Sequence, residues 1–245
     1  MVIVIMNQKG GVGKTTTAVN LAVALKRNYE RILLVDMDPQ ANAGTHLGIR
    51  ADENNSIANV FAGTKKIPDI VKNAEGIDVA PSNISLAGIE LQIVNEIGRE
   101  MILKDILKDI NYDVVIIDCP PSLGLLSVNA LTAADKVIIP VLTDYFAREG
   151  LADFLRTVQK VKSTLNNKLS ILGYLATNYD NTAISKDALE SLQSHFEGQV
   201  FKTVIRINTH LKEAPGAGKS IFGYKKCRGY EDYEKLGEEV YEKIK

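Results

Sequence analysis

The sequence predicts a single α/β domain in which a doubly wound, mostly parallel β-sheet is flanked by helices. Short apolar runs rich in β-branched residues recur along the chain, and such continuous runs are typical of parallel strands buried on both faces. The longer segments between them place apolar residues three and four positions apart, which is the period of an amphipathic helix. The chain has 245 residues, of which 45% are hydrophobic, and this is enough for one substantial core. Strands that alternate with helices predict parallel pairing through right-handed crossovers.

The predicted strands and helices follow one another in a simple order. Strands are expected at residues 2–6, 32–35, 114–117, 137–141 and 171–176. Helical spacing is clearest in residues 15–26 and 102–110. Residues 50–76 are rich in Asn, Lys, Gly and charged side chains, and they predict a surface excursion with one short helix near residues 56–61. Because strands on both sides of this excursion are needed to complete one sheet, we expect residues 1–245 to form a single domain.

Composition and cysteine content argue against several classes of protein. Cys119 and Cys227 are far apart and match no metal-ligand spacing, so we expect neither a disulfide framework nor a zinc site. The apolar runs are far shorter than the roughly 20 residues that span a bilayer, and the N-terminus lacks the pattern of a signal peptide. We therefore expect a cytoplasmic protein with no membrane partner. The formal net charge of -1 argues, at first sight, against a nucleic-acid-binding surface.

A glycine-rich segment with two lysines lies between the first predicted strand and the first predicted helix. Residues 9–15 read Lys-Gly-Gly-Val-Gly-Lys-Thr, and the backbone N–H groups of such a turn form a concave anion site at the positive end of the helix. Lys14 is placed to reach the β- and γ-phosphates of a nucleotide, and the Thr15 hydroxyl is placed to bind Mg²⁺. Lys9 is a second lysine, whose charge is costly beside Lys14 unless phosphate neutralises it, here or on a neighbouring subunit. A tight turn with incidental lysines is the alternative. The candidate nucleotide-binding residues are Gly10, Gly11, Val12, Gly13, Lys14, Thr15 and Thr16.

Aspartates follow two of the predicted strands, at the sheet edge where open α/β folds bind ligands. Asp118 ends a buried apolar run and precedes Pro120, which cannot continue a β-ladder. Its predicted role is to hold Mg²⁺ through water, and the alternative is an ordinary strand-terminating aspartate. Asp36 and Asp38 flank Met37 at the end of another strand, and each could instead cap a turn or a helix. Spacing alone does not rank these two carboxylates.

Motifs spread over nearly the whole chain resemble the ParA/MinD superfamily of deviant Walker A ATPases. Residues 9–17 (KGGVGKTTT) resemble its phosphate-binding motif, and residues 33–42 (LLVDMDPQAN) and 114–124 (VVIIDCPPSLG) are similar to its next two motifs. Further similarity lies in three segments, residues 81–88, 145–151 and 211–215. The resemblance points to the ParA/Soj branch of partition ATPases.

The resemblance implies a mechanism and a set of partners. It gives catalytic roles to Lys9, Lys14 and Asp38, in which Lys9 reaches across a dimer interface to the partner's ATP and Asp38 orients the attacking water. Asp36 and Asp118 are expected to support the bound Mg²⁺. We therefore expect an ATP-dependent homodimer that hydrolyses ATP slowly, returns to the monomer after hydrolysis and is stimulated by a ParB-like centromere-binding protein.

Two residues are candidate contacts for the adenine base. Asn178 follows the predicted strand at residues 171–176, and the corresponding position pairs with adenine in several relatives of the superfamily. A turn-forming asparagine is the alternative. Pro215, in the Glu-Ala-Pro sequence of residues 213–215, is expected to pack on the base.

Residues 202–228 form a basic segment with a net charge of +6. In ParA relatives this region binds DNA without sequence preference once the ATP dimer has formed, and contacts of that kind are made to phosphates. We therefore expect a nucleoid-associated protein, although Ile207 and His210 stand where the family commonly has arginine. The alternative is a solvated basic face with no partner. The candidate DNA-binding residues are Lys202, Arg206, Lys212, Lys219, Lys225, Lys226 and Arg228.

Residues 229–245 have a net charge of -3 and the apolar spacing of an amphipathic helix. An acidic helix is repelled by an anionic membrane, so we expect it to pack against the domain, unlike the basic membrane-binding helix of MinD proteins. The other functions considered are a MinD-like membrane ATPase, a relative that positions a non-DNA cargo, and a metabolic ligase or amidotransferase-type ATPase. A different class is a reductase resembling the nitrogenase iron protein, for which two cysteines per chain could supply a cluster shared between subunits.

Overall fold

The computed structural model describes residues 1–143 and 148–245, which contain one seven-stranded sheet. Part of the predicted motif at residues 145–151 therefore lies outside the described residues. The order of the strands across the sheet is β3-β4-β2-β5-β1-β6-β7, and every neighbouring pair is parallel except β3 with β4. The strands are β1 (Val2–Ile5), β2 (Ile32–Asp36), β3 (Lys72–Ala74), β4 (Ile77–Ala80), β5 (Val114–Asp118), β6 (Lys136–Leu142) and β7 (Ser170–Thr177).

Helices connect the strands and cover both faces of the sheet. The first half of the chain contributes α1 (Lys14–Leu25), α2 (Asn42–His46), α3 (Ile57–Phe61), α4 (Ile67–Ile70), α5 (Ser85–Ile93) and α6 (Ile102–Lys108). The second half contributes α7 (Leu125–Ala133), α8 (Arg148–Thr164), α9 (Ala183–His195), α10 (Thr209–Glu213), α11 (Ile221–Tyr224) and α12 (Arg228–Ile244). A 3-10 turn spans Ala214–Ala217.

Alternate residues of each strand point to opposite faces of the sheet, so the strands fill two cores. Ile3 and Ile5 belong to the core that contains residues of α1 and α12. Val4 belongs to the opposite core, with residues of α7 and α8. All three side chains are fully buried. Burial on both faces explains why this strand reads as a continuous apolar run rather than as an alternating one.

The parallel register brings the ends of the central strands to one edge of the sheet. Asp36, the last residue of β2, is paired in register with Asp118, the last residue of β5. Ile5, the last residue of β1, is paired with Asp118 on one side and with Ile138 of β6 on the other. The segment that follows β1 therefore starts in the middle of the sheet, beside the aspartates.

The five strands predicted from apolar runs are confirmed as β1, β2, β5, β6 and β7. The structure adds two strands, β3 and β4. β3 is short and polar and lies at the edge of the sheet, and β4 has only four residues, one of which is Asp78. The short helix predicted near residues 56–61 is α3, and it begins after Ser56. The excursion also contains α4, a single turn of helix that was not predicted.

The C-terminal amphipathic helix is present as α12, and it packs against the domain as expected, with its closest contact on α1. A Cβ atom at Gly237 would lie 2.7 Å from the Cβ of Ala24, so glycine permits the close approach of the two helices. The Tyr233 hydroxyl lies 3.2 Å from that of Thr17, within hydrogen-bond distance, in the same buried interface. Within the residues described, no helix is both long and apolar enough to cross a membrane.

A buried histidine on α2 makes the stability of the fold depend on pH. His46 is 4% exposed, and its Nε2 atom has no hydrogen-bond partner in the part of the chain that the structure describes. Burial lowers the pKa of His46 to about 4. A histidine in the unfolded chain has a pKa of about 6.5, so the unfolded state binds the proton more tightly. Stability is therefore lost as the pH falls from about 6.5 towards 4, and this contribution vanishes above that range.

We expect His46 to lower the free energy of unfolding by about 2 kcal/mol between about pH 7.5 and about pH 5. Urea unfolding at the two pH values measures the loss, and His46→Leu is the control because leucine fills the buried position but cannot titrate. The loss in the unmodified protein should exceed the loss in His46→Leu by that amount. Equal losses in the two proteins would show that His46 does not carry the effect.

Candidate functional site

The segment between β1 and α1 has the backbone geometry of an anion-binding loop. Gly11 and Gly13 have left-handed backbone conformations, with φ of 73° and 84°. Residues with a Cβ atom adopt these conformations only under strain, so glycine is required at both positions. Gly13 directly precedes α1, whose first residue is Lys14. The free N–H groups and the positive end of this helix therefore face the space that the loop encloses.

Side chains from two neighbouring parts of the sheet hold the phosphate loop in place. The Asn7 amide donates a hydrogen bond to the carbonyl of Pro140 in β6 at 2.7 Å, and its oxygen accepts one from the N–H of Lys9 at 3.1 Å. The Thr177 hydroxyl, at the end of β7, lies 3.0 Å from the Val12 carbonyl oxygen and 3.2 Å from the Val141 carbonyl oxygen. The sequence analysis predicted neither contact: Asn7 adjoins the loop but has no distinguishing pattern, and Thr177 reaches the loop only through the fold.

The two lysines of the loop are in different environments. Lys14 is 7% exposed, whereas Lys9 lies on the surface. The Lys14 ammonium donates a hydrogen bond to the Lys9 carbonyl oxygen at 3.0 Å. Burial lowers the pKa of Lys14, and the carboxylates of Asp118 and Asp38 offset part of that effect. Lys14 thus lies at the anion site, and the Lys9 side chain is exposed to solvent.

A cavity of about 420 Å³ adjoins the loop and has the composition of a phosphate and metal site. Asp38 and Pro121 lie across this cavity from the loop, together with two polar side chains, Gln40 and Asn42. The loop residues that line it are Gly10, Gly11, Gly13, Lys14, Thr15 and Thr16. The predicted residues of the phosphate loop and Asp38 are therefore brought together by the fold.

Asp118 is a fully buried carboxylate, and neither of its oxygens has a hydrogen-bond partner among the described residues. Burial raises its pKa well above the usual value, and the neighbouring Asp36 raises it further. Thr15 and Lys14 lie near enough to offset part of this shift. The Asp118 carboxylate and the Thr15 hydroxyl offer the oxygen ligands that a hard cation such as Mg²⁺ prefers, and this cation also retains several waters.

Asp36 and Asp38 have different hydrogen-bond partners. The Asp36 carboxylate accepts hydrogen bonds from the N–H groups of Asp38, Ala43 and Gly44, at 3.1, 3.0 and 3.1 Å. Burial raises the pKa of Asp36 to about 7. Asp38 accepts one hydrogen bond from the Gln40 N–H at 2.9 Å and lines the phosphate cavity. Asp36 therefore shapes the turn after β2, and this turn presents Asp38 to the cavity.

A second cavity, of about 170 Å³, lies on the other side of the phosphate loop. Asn178, in a left-handed conformation with φ of 59°, lines this cavity, and its role as a contact for the base stays a prediction. Pro215 lies in the 3-10 turn and is not among the residues that line either cavity in the described part of the chain. The other lining residues are Gly11, Val12, Gly13, Thr16, Leu142, Thr177, Ile205, Arg206, Asn208, Leu211, Lys212 and Tyr233.

The basic segment presents most of its cations to solvent. Arg206 differs from the others because its guanidinium is paired with Asp232 at 2.6 Å and lies 3.5 Å from Glu231. The six exposed residues of the predicted DNA-binding set are Lys202, Lys212, Lys219, Lys225, Lys226 and Arg228.

Comparison with known proteins gives one matching family and relatives that are similar over nearly the whole chain. Residues 1–171 match the AAA_31 family of AAA domains. The chain is 47% identical over 246 residues to the sporulation initiation inhibitor protein Soj of Bacillus subtilis, covering 98% of this chain and 97% of that protein. It is 42% identical over 248 residues to the chromosome partitioning protein ParA of Caulobacter vibrioides, covering 98% of this chain and 93% of that protein.

Solved structures share the whole fold. Cobyrinic acid a,c-diamide synthase from Mycobacterium smegmatis, with bound ATP analog and magnesium, has a TM-score of 0.84 and 37% identity, covering 97% of this chain and 92% of that chain. The septum site-determining protein MinD from Pyrococcus horikoshii, complexed with Mg-ADP, has a TM-score of 0.78 and 26% identity, covering 98% of this chain and 95% of that chain. The fold and its phosphate loop define a P-loop nucleotide-binding protein. The chain belongs to the ParA/MinD superfamily of ATPases, as its motifs predicted.

We expect Thr177→Val to weaken binding of Mg-ADP roughly tenfold, because it removes the hydrogen bond to the Val12 carbonyl while keeping the shape of the side chain. Thr177→Ser keeps the hydroxyl and should bind Mg-ADP almost as well as the unmodified protein. Isothermal titration calorimetry measures both affinities. If the valine and serine variants bind equally well, the hydroxyl does not position the loop.

Proposed function

We propose that this protein is a chromosome or plasmid partition ATPase that cycles between a monomer and an ATP-bound homodimer on the nucleoid. The observation that carries the proposal is the pair of lysines at the phosphate loop, since Lys14 is buried and lines the phosphate cavity, whereas Lys9 is exposed to solvent and is not among the residues that line it. A single nucleotide needs only one of them inside the site. The relatives Soj and ParA, named for chromosome partitioning or sporulation control, support the biological role.

The residues of the site divide the work of phosphoryl transfer, which requires positioning and charge neutralisation more than covalent chemistry. The loop N–H groups and Lys14 hold the β- and γ-phosphates. The Thr15 hydroxyl and the Asp118 carboxylate would hold Mg²⁺, the latter through water, and the metal would neutralise phosphate charge. Asp38, which Asp36 presents to the phosphate cavity, orients the attacking water. In the proposed dimer Lys9 completes the site of the partner, so hydrolysis depends on dimerisation and is slow.

We expect Lys9→Ala to abolish ATP-dependent dimerisation and to reduce ATP hydrolysis at least tenfold, because the charge on the partner's phosphates is no longer neutralised. Light scattering with ATP and Mg²⁺ measures the mass, and phosphate release measures turnover. Lys168→Ala is the matched control. Lys168 is an exposed lysine in the loop before β7, so it lies at the N-terminal ends of the strands, whereas the phosphate loop lies at their C-terminal ends. If the Lys9→Ala protein still dimerises and hydrolyses ATP, Lys9 does not complete the site of the partner subunit.

The ATP-bound dimer is proposed to bind DNA through the exposed cations of the basic segment. Each subunit contributes one modest patch, and two linked patches bind more tightly than one. Contacts of this type are made to phosphates, so they are independent of sequence and weaken steeply with salt. Hydrolysis separates the patches and releases the DNA. A ParB-like protein that stimulates hydrolysis would then set where and when release occurs.

We expect the double variant Lys225→Ala with Lys226→Ala to weaken binding of the ATP-loaded protein to random duplex DNA and to reduce the slope of log affinity against log salt by about two. Fluorescence anisotropy over a salt series measures both quantities. The control is Lys160→Ala with Lys168→Ala, which removes the same charge outside the segment. Loss of binding in the control alone, or no salt-sensitive binding in the unmodified protein, would contradict the proposal.

A second function is favoured by the structural similarity to cobyrinic acid a,c-diamide synthase. An ATP-dependent synthase would couple hydrolysis to amide formation on a small-molecule acid. If phosphate release rises with cobyrinic acid and an amide donor but not with DNA and a ParB-like protein, the synthase function is the correct one.

A further inference from the structure

Arg206 belongs to two sets of residues whose functions conflict. It is one of the cations of the basic segment, yet it also lines the 170 Å³ cavity beside the phosphate loop, together with Asn178 and Lys212. Its side chain is 34% exposed, so it is the most enclosed residue of the predicted DNA-binding set. The surroundings of its guanidinium decide between the two roles.

Asp232, on α12, holds Arg206 through both the side chain and the backbone. The Arg206 Nε atom lies 3.0 and 3.1 Å from the two carboxylate oxygens, and Nη2 lies 2.6 Å from Oδ1. The Arg206 N–H donates a further hydrogen bond to Oδ2 at 3.0 Å. The Asp232 side chain is only 5% exposed. One edge of the guanidinium is thus fixed by a bidentate contact, which is the strongest and most directional form of this pair.

The helix that carries Asp232 is itself fixed against the phosphate loop's own helix. The next residue, Tyr233, contacts the Thr17 hydroxyl of α1 and also lines the same cavity. Gly237 brings α12 within contact of Ala24 one turn further along. The distance from the Arg206 guanidinium to the phosphate loop is therefore set by packed side chains rather than by a mobile surface loop.

This arrangement suits a neutral ligand better than a phosphate backbone. Asp232 and Glu231 already balance the positive charge of Arg206, so it adds little to attraction for DNA. A guanidinium has five N–H donors and a flat face, and a carboxylate on one edge leaves the other edge and the face available. Purine ring nitrogens and ribose hydroxyls accept hydrogen bonds, and a purine stacks on a planar cation.

We propose that Arg206 contacts the nucleoside part of the bound nucleotide and sets the affinity for it, and that Asp232 is the positioning residue through which α12 orients Arg206. The inference rests on the proposed nucleotide site, and it adds the residues of that site that contact the base or the ribose. It also removes Arg206 from the residues that contact DNA.

The test compares two ligands that share their phosphates and differ in the nucleoside. Calorimetry gives the dissociation constants of Mg-ADP and of magnesium pyrophosphate for the unmodified protein, Arg206→Met and Asp232→Asn. Arg206→Met keeps the apolar stem of the side chain, and Asp232→Asn keeps an oxygen for the Arg206 N–H. We expect both variants to bind Mg-ADP about tenfold more weakly and to bind pyrophosphate within about twofold of the unmodified protein. Arg206→Lys keeps the positive charge but lacks the planar fork, so its dissociation constant for Mg-ADP should still be more than about threefold that of the unmodified protein.

Other outcomes overturn the inference. Unchanged binding of Mg-ADP, or an equal loss for Mg-ADP and pyrophosphate, would give the ion pair a purely structural role. Loss of DNA binding in Arg206→Met at saturating ATP would return Arg206 to the DNA-binding set. If Arg206→Met does not fold, Asp232→Asn gives the same comparison. Failure of the unmodified protein to bind Mg-ADP would instead overturn the nucleotide site itself, so the two failures are distinguishable.

Discussion

Everything at the candidate site depends on a backbone loop that must turn its N–H groups inward between a central strand and a helix. Two of its residues need left-handed conformations, which glycine supplies at positions 11 and 13. Glycine also makes the loop flexible, and a flexible loop would lose binding energy when it is ordered by a ligand. The hydrogen bonds of Asn7 to β6 and of Thr177 to the Val12 carbonyl remove that flexibility in advance. The parallel sheet thus provides a preorganised anion site.

The same sheet explains how two buried aspartates come to lie side by side. Parallel pairing of β2 with β5 puts Asp36 and Asp118 in register at the strand ends. Burial raises the pKa of both carboxyls, and the neighbouring Asp36 raises that of Asp118 further. The N–H groups of the turn after β2 stabilise Asp36, whereas Asp118 has no such donors in the described residues. A divalent cation held near Asp118 would offset the cost of burying this carboxylate.

The sequence predicted those features that depend on local pattern. Buried strands appear in the sequence as apolar runs, because burial on both faces requires apolar side chains. The phosphate loop appears as a glycine-rich motif, because its left-handed φ angles require glycine. The polar strand β3 was missed because an edge strand with one neighbour needs no apolar pattern. Thr177 was missed because its partner Val12 lies 165 positions away in the chain. The ion pair of Arg206 with Asp232 was missed for the same reason. Asp232 lies on another element 26 positions further on, where it is one of many acidic residues. Long-range polar contacts leave no periodic signal.

The near-zero net charge of the chain hides an uneven distribution of charge around α12. Its segment is acidic, with a net charge of -3, and lies beside the basic segment with a net charge of +6. Glu239 accepts hydrogen bonds from the N–H groups of Lys202 and Thr203, at 2.9 Å each, and Asp232 binds Arg206. These carboxylates therefore face the start of the basic segment and fix its backbone, while the side chains of Lys212, Lys225 and Lys226 stay exposed. Acidic groups used in this way anchor the segment without neutralising its outer face, so a neutral total is compatible with a cationic surface.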